Sequence, residues 1–445
     1  MRRTIRPAST IAALAALALG ATACTAGTEG DSDIGKGGVD KATTIEFWHF
    51  FADREAKVIE EVVKDFEKKN DKITVVIKSG QDDEKMKQAI SAGKAVDVGL
   101  SYSTDIVGTF CSKKAWQDLG PYIERDKVDL DQFPEVVQGY TAYKGTQCSM
   151  PMLADVYGLY YNKDLLKAGG FTEPPKTMSE LAAMGDKLTK LDARGNIVQA
   201  GFVPLMEQFY ENSAAHIGPS FGAKWFDESG KPLLSSDPAW AEMLRWQKAL
   251  VDKHGVAKWK KFAAGAGDEY SANNAFQTGK VAMNIDGEYR TAFIKDQSPK
   301  LNYGTAPLPV ADNKSDLYGS GYVTGNIMGI GRGSKSPEAA WQLIKYLSTD
   351  TDAIIKLSDG LRNIPTTTEA LEKTSLKDDE NFKPFLEIFQ NPKSSHVPGT
   401  PNGAAPQDTF ATMIDKWQSG QVKDLDAELK KLDEQIQKEL KLAGA

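Results

Sequence analysis

The stretch AFQTGKVAMNIDGEYR, residues 275–290, reads either as a phosphate loop or as one helix–strand–helix step of an α/β fold. A phosphate loop needs a glycine five residues before its Gly-Lys pair and a Ser or Thr after the lysine. This chain has Asn274 and Val281 at those positions, so the spacing fails. The other reading uses every residue. Gly279 takes the left-handed position that ends a helix, residues 281–285 form a short buried strand, and Asp286-Gly287 turns the chain into a second helix with Asp286 as candidate N-cap. The polar turn then stands at the carboxyl end of a strand, where α/β proteins bind ligands.

The N-terminal region repeats this alternation. TIEFWHF from Thr44, an amphipathic segment over 53–69, ITVVIKSG, a helix over 83–94 and VDVGLSYS follow one another. Val58, Ile59, Val62, Val63 and Phe66 fall at helical spacing. The order βαβαβ predicts a parallel sheet with right-handed crossovers. Its strand ends carry Trp48 and His49, then Ser79, Gln81 and Asp82, then Ser101, Tyr102, Ser103 and Asp105, and a parallel sheet gathers such ends at one rim. A second half begins near Ala154, with a strand and short helix in YGLYYNKDLLKAGGF. It continues with a helix capped by Thr177 or Ser179, a hairpin in WFDESGKPLL, and a helix opened by Asp237-Pro238. Strands in YGTAPLPV and GSGYVTGNIMGIG, a helix in SPEAAWQLIKYLSTD, a proline-rich loop over 391–406 and an amphipathic helix over 424–440 complete it. Trp240, Trp246, Trp341 and Trp417 sit in helical segments and read as structural.

The chain has 445 residues, enough for two or three domains, and a formal charge of −7 without a long basic run, which argues against a nucleic-acid partner. Residues 1–23 read as an export signal: Arg2, Arg3 and Arg6 precede an apolar core too short to span a bilayer, and small residues lead to Cys24. Their removal takes away three arginines and no acid, leaving −10. ATAC resembles a lipobox with Ala21 in place of the usual leucine, which makes Cys24 the candidate lipidation site. Residues 24–43 read as a flexible tether. Cys111 and Cys148 then remain in an oxidising compartment, where a disulfide is the expected state and two buried thiols the alternative. His49, His216, His254 and His396 have no ligand spacing, so neither a metal nor a cofactor is expected.

Several segments, taken in order, resemble the extracellular solute-binding proteins of bacterial ABC importers, the group similar to maltose-binding protein. They are TIEFWHF, AGKAVDV at 92–98, YGLYYNKDLL at 157–166, PPKTMSEL at 174–181, the 275–290 stretch, YGTAPLP at 303–309, EAAWQLIKYL at 338–347 and Ile364-Pro365. Tyr289 departs from the tryptophan common in relatives. The resemblance implies two α/β lobes joined by hinge strands, residues 44–153 plus 322–360 and residues 154–321 plus 361–445, with a ligand cleft between them. It implies a monomeric receptor, anchored by lipid on the outer face of the cytoplasmic membrane. This receptor would pass a carbohydrate, an oligosaccharide by preference, to a membrane permease.

Sugars bind through aromatic faces and charge-assisted hydrogen bonds to hydroxyls. The candidates are Trp48, His49, Asp82, Tyr102 and Asp105 in the first lobe. The second lobe offers Glu207, Tyr210, Asn212, Trp225, Asp286, Glu288 and Tyr289, and Tyr322 and Arg362 lie near the hinge. Four of them have a structural alternative: Trp48 as core, Asp82 as a helix start, Asp286 as a cap, Arg362 as the partner of a surface acid. A polyol or sugar-phosphate ligand is the second reading, and a secreted glycan-processing enzyme the third. GPSFG at 218–222 matches a nucleophile elbow in letters but lacks the strand before it and the helix after it.

Overall fold

The computed structural model describes Ile34 and residues 37–444; the expected signal segment and Cys24 lie outside the described residues. The protein is mixed α/β and two-lobed. Three parallel strands come first: β1 (Thr43–Trp48), β2 (Ile73–Lys78) and β3 (Val98–Ser101), with β1 pairing to both others. The helices between them are Asp53–Lys69 and Asp83–Ser91. The first buries Ala56, Ile59, Val62, Val63 and Phe66 as one stripe, and places Asp53 and Glu55 in its first turn and Lys68 and Lys69 in its last, complementing the helix dipole. It is crossed closely by the helix Thr351–Leu361 because Gly360 has no side chain: a Cβ there would lie 2.7 Å from Val58 Cγ1. The expected tether ends in contact with the body, where the Gly38 N–H donates to Glu338 Oε1 at 2.9 Å.

The strand that organises the molecule is β4 (Met150–Asn162), thirteen residues long and buried at every position except Tyr161. After the short pair β5 (Lys190–Leu191) and β6 (Ile197–Gln199) come β7 (Met283–Gly287), β8 (Tyr303–Ala306), β9 (Val323–Gly329) and β10 (Ile364–Pro365). Residues 150–156 of β4 pair with β9, and residues 157–162 pair with β7 and β8. The large sheet runs β10-β4-β9-β3-β1-β2, with every pairing of β4 and the β3–β9 pairing antiparallel. The parallel arrangement read from βαβαβ thus holds for three strands, and the rest is antiparallel because the later strands return along β4. Residue 154, where the second half was expected to begin, lies inside this continuous strand.

The core on the β7 side joins Leu159, Met184, Trp240 and Ile285 to Phe410, Leu425 and Leu432 of the C-terminal helices Ala405–Gln418 and Leu425–Ala443. Trp240 and Trp341 are fully buried, while Trp246 and Trp417 donate their indole N–H groups to Met178 and Leu244 carbonyls. Cys111 and Cys148 form a disulfide, with Cα atoms 5.6 Å apart. In the 275–290 stretch Gly279 has φ +72, as its role required. Asp286 is not an N-cap: it lies within β7, and Tyr289 holds the N-cap position of the helix Arg290–Gln297. WFDESGKPLL makes a turn closed by a single bridge, Phe226 to Pro232, in place of a stranded hairpin.

Candidate functional site

A cleft of about 860 Å³ opens where the segments after β1 and β3 face the middle of β4, the 207–216 turn, Tyr270, Tyr289 and the start of the helix Ala405–Gln418. Its wall includes Phe50, Tyr102, Tyr157, Trp225, Tyr270, Tyr289, Phe293 and Tyr322. Tyr102 and Tyr270 are each about half exposed. Tyr157 stacks on His216 with centroids 3.6 Å apart, and Tyr322 lies 5.2 Å from the same imidazole. Eight carboxylates line the cleft against one guanidinium, Arg54, whose partners are Glu55, Asp296 and the Gly360 carbonyl. The cleft is therefore acidic and aromatic.

The 207–213 turn is folded tightly enough to hold Glu207 and Tyr210 at positive φ, +61 and +44, a conformation that costs non-glycine residues energy and clusters at functional sites. The Glu207 N–H donates to the Asn212 carbonyl at 2.7 Å, and Glu207 Oε1 accepts from the Ala214 N–H. Burial pushes the Glu207 carboxyl up to about 7. Glu211 accepts from the Tyr289 hydroxyl at 2.8 Å. Across the cleft, Asp105 accepts from Ser103 Oγ at 3.1 Å and from Gln407 Nε2 at 3.0 Å, and burial lifts it to about 6. At the cleft floor the Asn363 amide donates to both Asp155 and Glu288, and Glu288 also accepts from the Val156 N–H at 2.9 Å. Burial raises both carboxyls of the Asp155–Glu288 pair above the ordinary range, and the charge of Asp155 pushes Glu288 up further.

Of the fourteen ligand candidates, the structure brings Tyr102, Asp105, Glu207, Trp225, Tyr289 and Tyr322 to the cleft wall. The other eight are held elsewhere. The Trp48 indole donates to Glu46 on its own strand. His49 is fully buried between the Phe47 and Phe51 rings, and burial pushes its imidazole down to about 4. Asp82 caps the helix Asp83–Ser91. The Tyr210 hydroxyl donates to the Ala266 carbonyl, and the Asn212 amide to the Val203 carbonyl. Asp286 pairs with the buried Arg290 at 2.7 Å, and Glu288 is buried beneath the wall. Arg362 bonds Asp379 and Thr291, the surface-acid alternative.

Residues missed include Phe50, Tyr157, Glu211, His216, Tyr270 and Asp408. Glu211 lay between the two neighbours chosen, Tyr210 and Asn212, and the tight turn decides which of the three reaches the cleft. The nucleophile-elbow match fails structurally, because Ser220 is buried inside the helix Ala214–Phe221. Among the described residues no three His, Cys, Asp or Glu side chains are grouped to hold a metal ion.

The family model for bacterial extracellular solute-binding proteins matches residues 61–384. The chain belongs to this family. A maltotriose-binding protein of Pyrococcus abyssi is 23% identical over 89% of this chain and 82% of its own. The Bacillus subtilis maltodextrin-binding protein MdxE is 27% identical over 75% of this chain and 76% of its own. Among solved structures, the mannotriose complex of CpMnBP1 superposes with a TM-score of 0.79 at 28% identity, covering 88% of this chain and 99% of that one. These relatives are named as binding proteins, and the solved structure shares this fold.

Proposed function

We propose that this solute-binding protein takes a carbohydrate, an oligosaccharide, into the cleft and hands it to an ABC permease after the lobes close on it. The observation that carries the reading is the cleft wall itself, which pairs ring faces for the apolar side of a pyranose with carboxylates for its hydroxyls. Its volume suits more than a single ring, within the usual range for ligand sites. The relatives named for maltotriose and maltodextrin and the mannotriose-bound neighbour support the same class. A sugar phosphate is disfavoured by eight carboxylates facing one already paired arginine.

Residues 44–153 plus 322–360 and residues 154–321 plus 361–445 are the two closing bodies of this reading, with β4 as a hinge strand between them. Lipid at Cys24 would hold the receptor at the outer face of the membrane, and a Streptococcus pneumoniae relative is named a solute-binding lipoprotein. A chain with Cys24→Ser then appears in the culture medium instead of the membrane fraction.

A thermal-shift screen of the purified protein against malto-, manno- and cello-oligosaccharides, polyols and sugar phosphates tests the ligand class. The expected result is stabilisation by one oligosaccharide series, ~2.7 kcal/mol at a hundred times its dissociation constant, without release of smaller sugars. A response confined to a non-carbohydrate solute overturns the proposal.

A further inference from the structure

Hydrogen-bonding capacity in the cleft is lopsided. Asp105, Glu207 and Asp408 come from three separate segments, and Asp408 repels both of the others. Each of the first two has neutral donors only: Ser103 and Gln407 for Asp105, and the Ala214 N–H for Glu207. A second, independent acceptor lines the same cleft. His216 is 9% exposed, and its Nδ1 lies 2.6 Å from the Glu211 carbonyl oxygen, which can only accept, so Nδ1 carries the proton. Burial pushes this imidazole down and keeps it neutral. Nε2 is therefore an acceptor, and it has no hydrogen-bond partner among the described residues. Arg54, the one guanidinium on the wall, is already paired.

Resting on the carbohydrate reading above, we propose that the ligand is cationic: an oligosaccharide with free, unacetylated amino groups, one ammonium of which sits among Asp105, Glu207 and Asp408. A sugar hydroxyl both donates and accepts, whereas an ammonium only donates, three times, and brings the charge this wall lacks. The half-exposed ring of Tyr102 adds a face for the same cation, lying close enough to Asp105 and Asp408 to feel their charge. Carboxylates on separate segments repel one another while the cleft is empty. A bound ammonium removes that repulsion and so favours the closed state.

The test is calorimetric titration at neutral pH and low salt with β-1,4-linked glucosamine oligomers, their N-acetylated forms, and neutral cello-, malto- and manno-oligosaccharides of equal length. The aminated series is expected to bind about tenfold tighter than any neutral one, the scale of one charged hydrogen bond, with the advantage shrinking as salt is added. Asp408→Asn, at an exposed position, and Glu207→Gln should each erase most of that advantage, read as the ratio of aminated to neutral affinity within the same variant. Neutral oligosaccharides binding as tightly as aminated ones overturn this inference and leave the carbohydrate reading standing. Binding of no saccharide, with a response to another solute, overturns both.

Discussion

Tyr270 and Trp225 both line the cleft, but their surroundings differ enough to separate binding from folding. Tyr270 is half exposed, whereas Trp225 is 7% exposed and packs edge-on against Trp240 and Phe410. Tyr270→Ala should weaken saccharide binding by ~1–3 kcal/mol with little change in thermal midpoint. Trp225→Ala should weaken binding similarly and also cost ~3 kcal/mol of stability, because it empties a packed site. Equal stability losses in the two variants, read by denaturant unfolding, would contradict this placement. Glu207 makes a pH-dependent contribution of defined sign. Its folded carboxyl titrates at about 7 against an ordinary 4.5, so the folded state holds the proton more tightly. The stability this provides is complete below pH 4.5 and is lost as pH rises through 7. Glu207→Gln should flatten the stability-versus-pH curve across that window by roughly 3 kcal/mol. An unchanged curve in ligand-free protein would remove Glu207 from the account.

At the scale of elements, the turn from β7 into the helix Arg290–Gln297 is built around a buried charge pair. Arg290 is fully buried, bonds Asp286 at 2.7 Å and reaches Glu269 at 3.4 Å. Removing one partner leaves a buried charge unpaired, which costs more than the pair itself contributes. Arg290→Met should therefore lower stability by ~3–5 kcal/mol, and the double variant with Asp286→Asn should recover part of that loss. A double variant no better than the single one would show that the guanidinium acts through Glu269 or its ring contacts instead. The same packing explains why two acidic residues of this turn do not face the cleft. Asp286 is engaged by Arg290 and Glu288 by Val156 and Asn363, while Tyr289, the residue after Glu288, reaches the wall.

For the whole molecule, the consequence of β4 is mechanical. One strand pairs with β9 along its first half and with β7 and β8 along its second, so bending near residues 154–157 moves the two strand sets relative to each other. Asp155 and Asn363 stand at this point and also line the cleft, so in the proposed closure a ligand touching them would act on the hinge. Saturating saccharide should reduce the radius of gyration measured by small-angle scattering, as hinge closure requires. An identical scattering curve with and without bound ligand would rule out closure as the means of delivery.

The sequence by itself determined the class and the order of elements. Apolar periodicity marked β1 to β3 and their helices, Gly279 marked a left-handed turn, and Asp237-Pro238 opened the helix Pro238–His254. These are local effects, since backbone preference and one-sided burial act within a few residues. Only the tertiary structure decided strand direction around β4, the pairing of Arg290 with Asp286, and which polar residues face the cleft. Trp48, Asp82 and Arg362 have the right chemistry for sugar binding, yet a strand neighbour, a helix end and a nearby acid claim them first. Glu211, His216 and Asp408 looked unremarkable in the sequence and line the cleft because distant segments fold against one another. Composition gives the number of carboxylates, but only three-dimensional packing decides which of them remain without a cation.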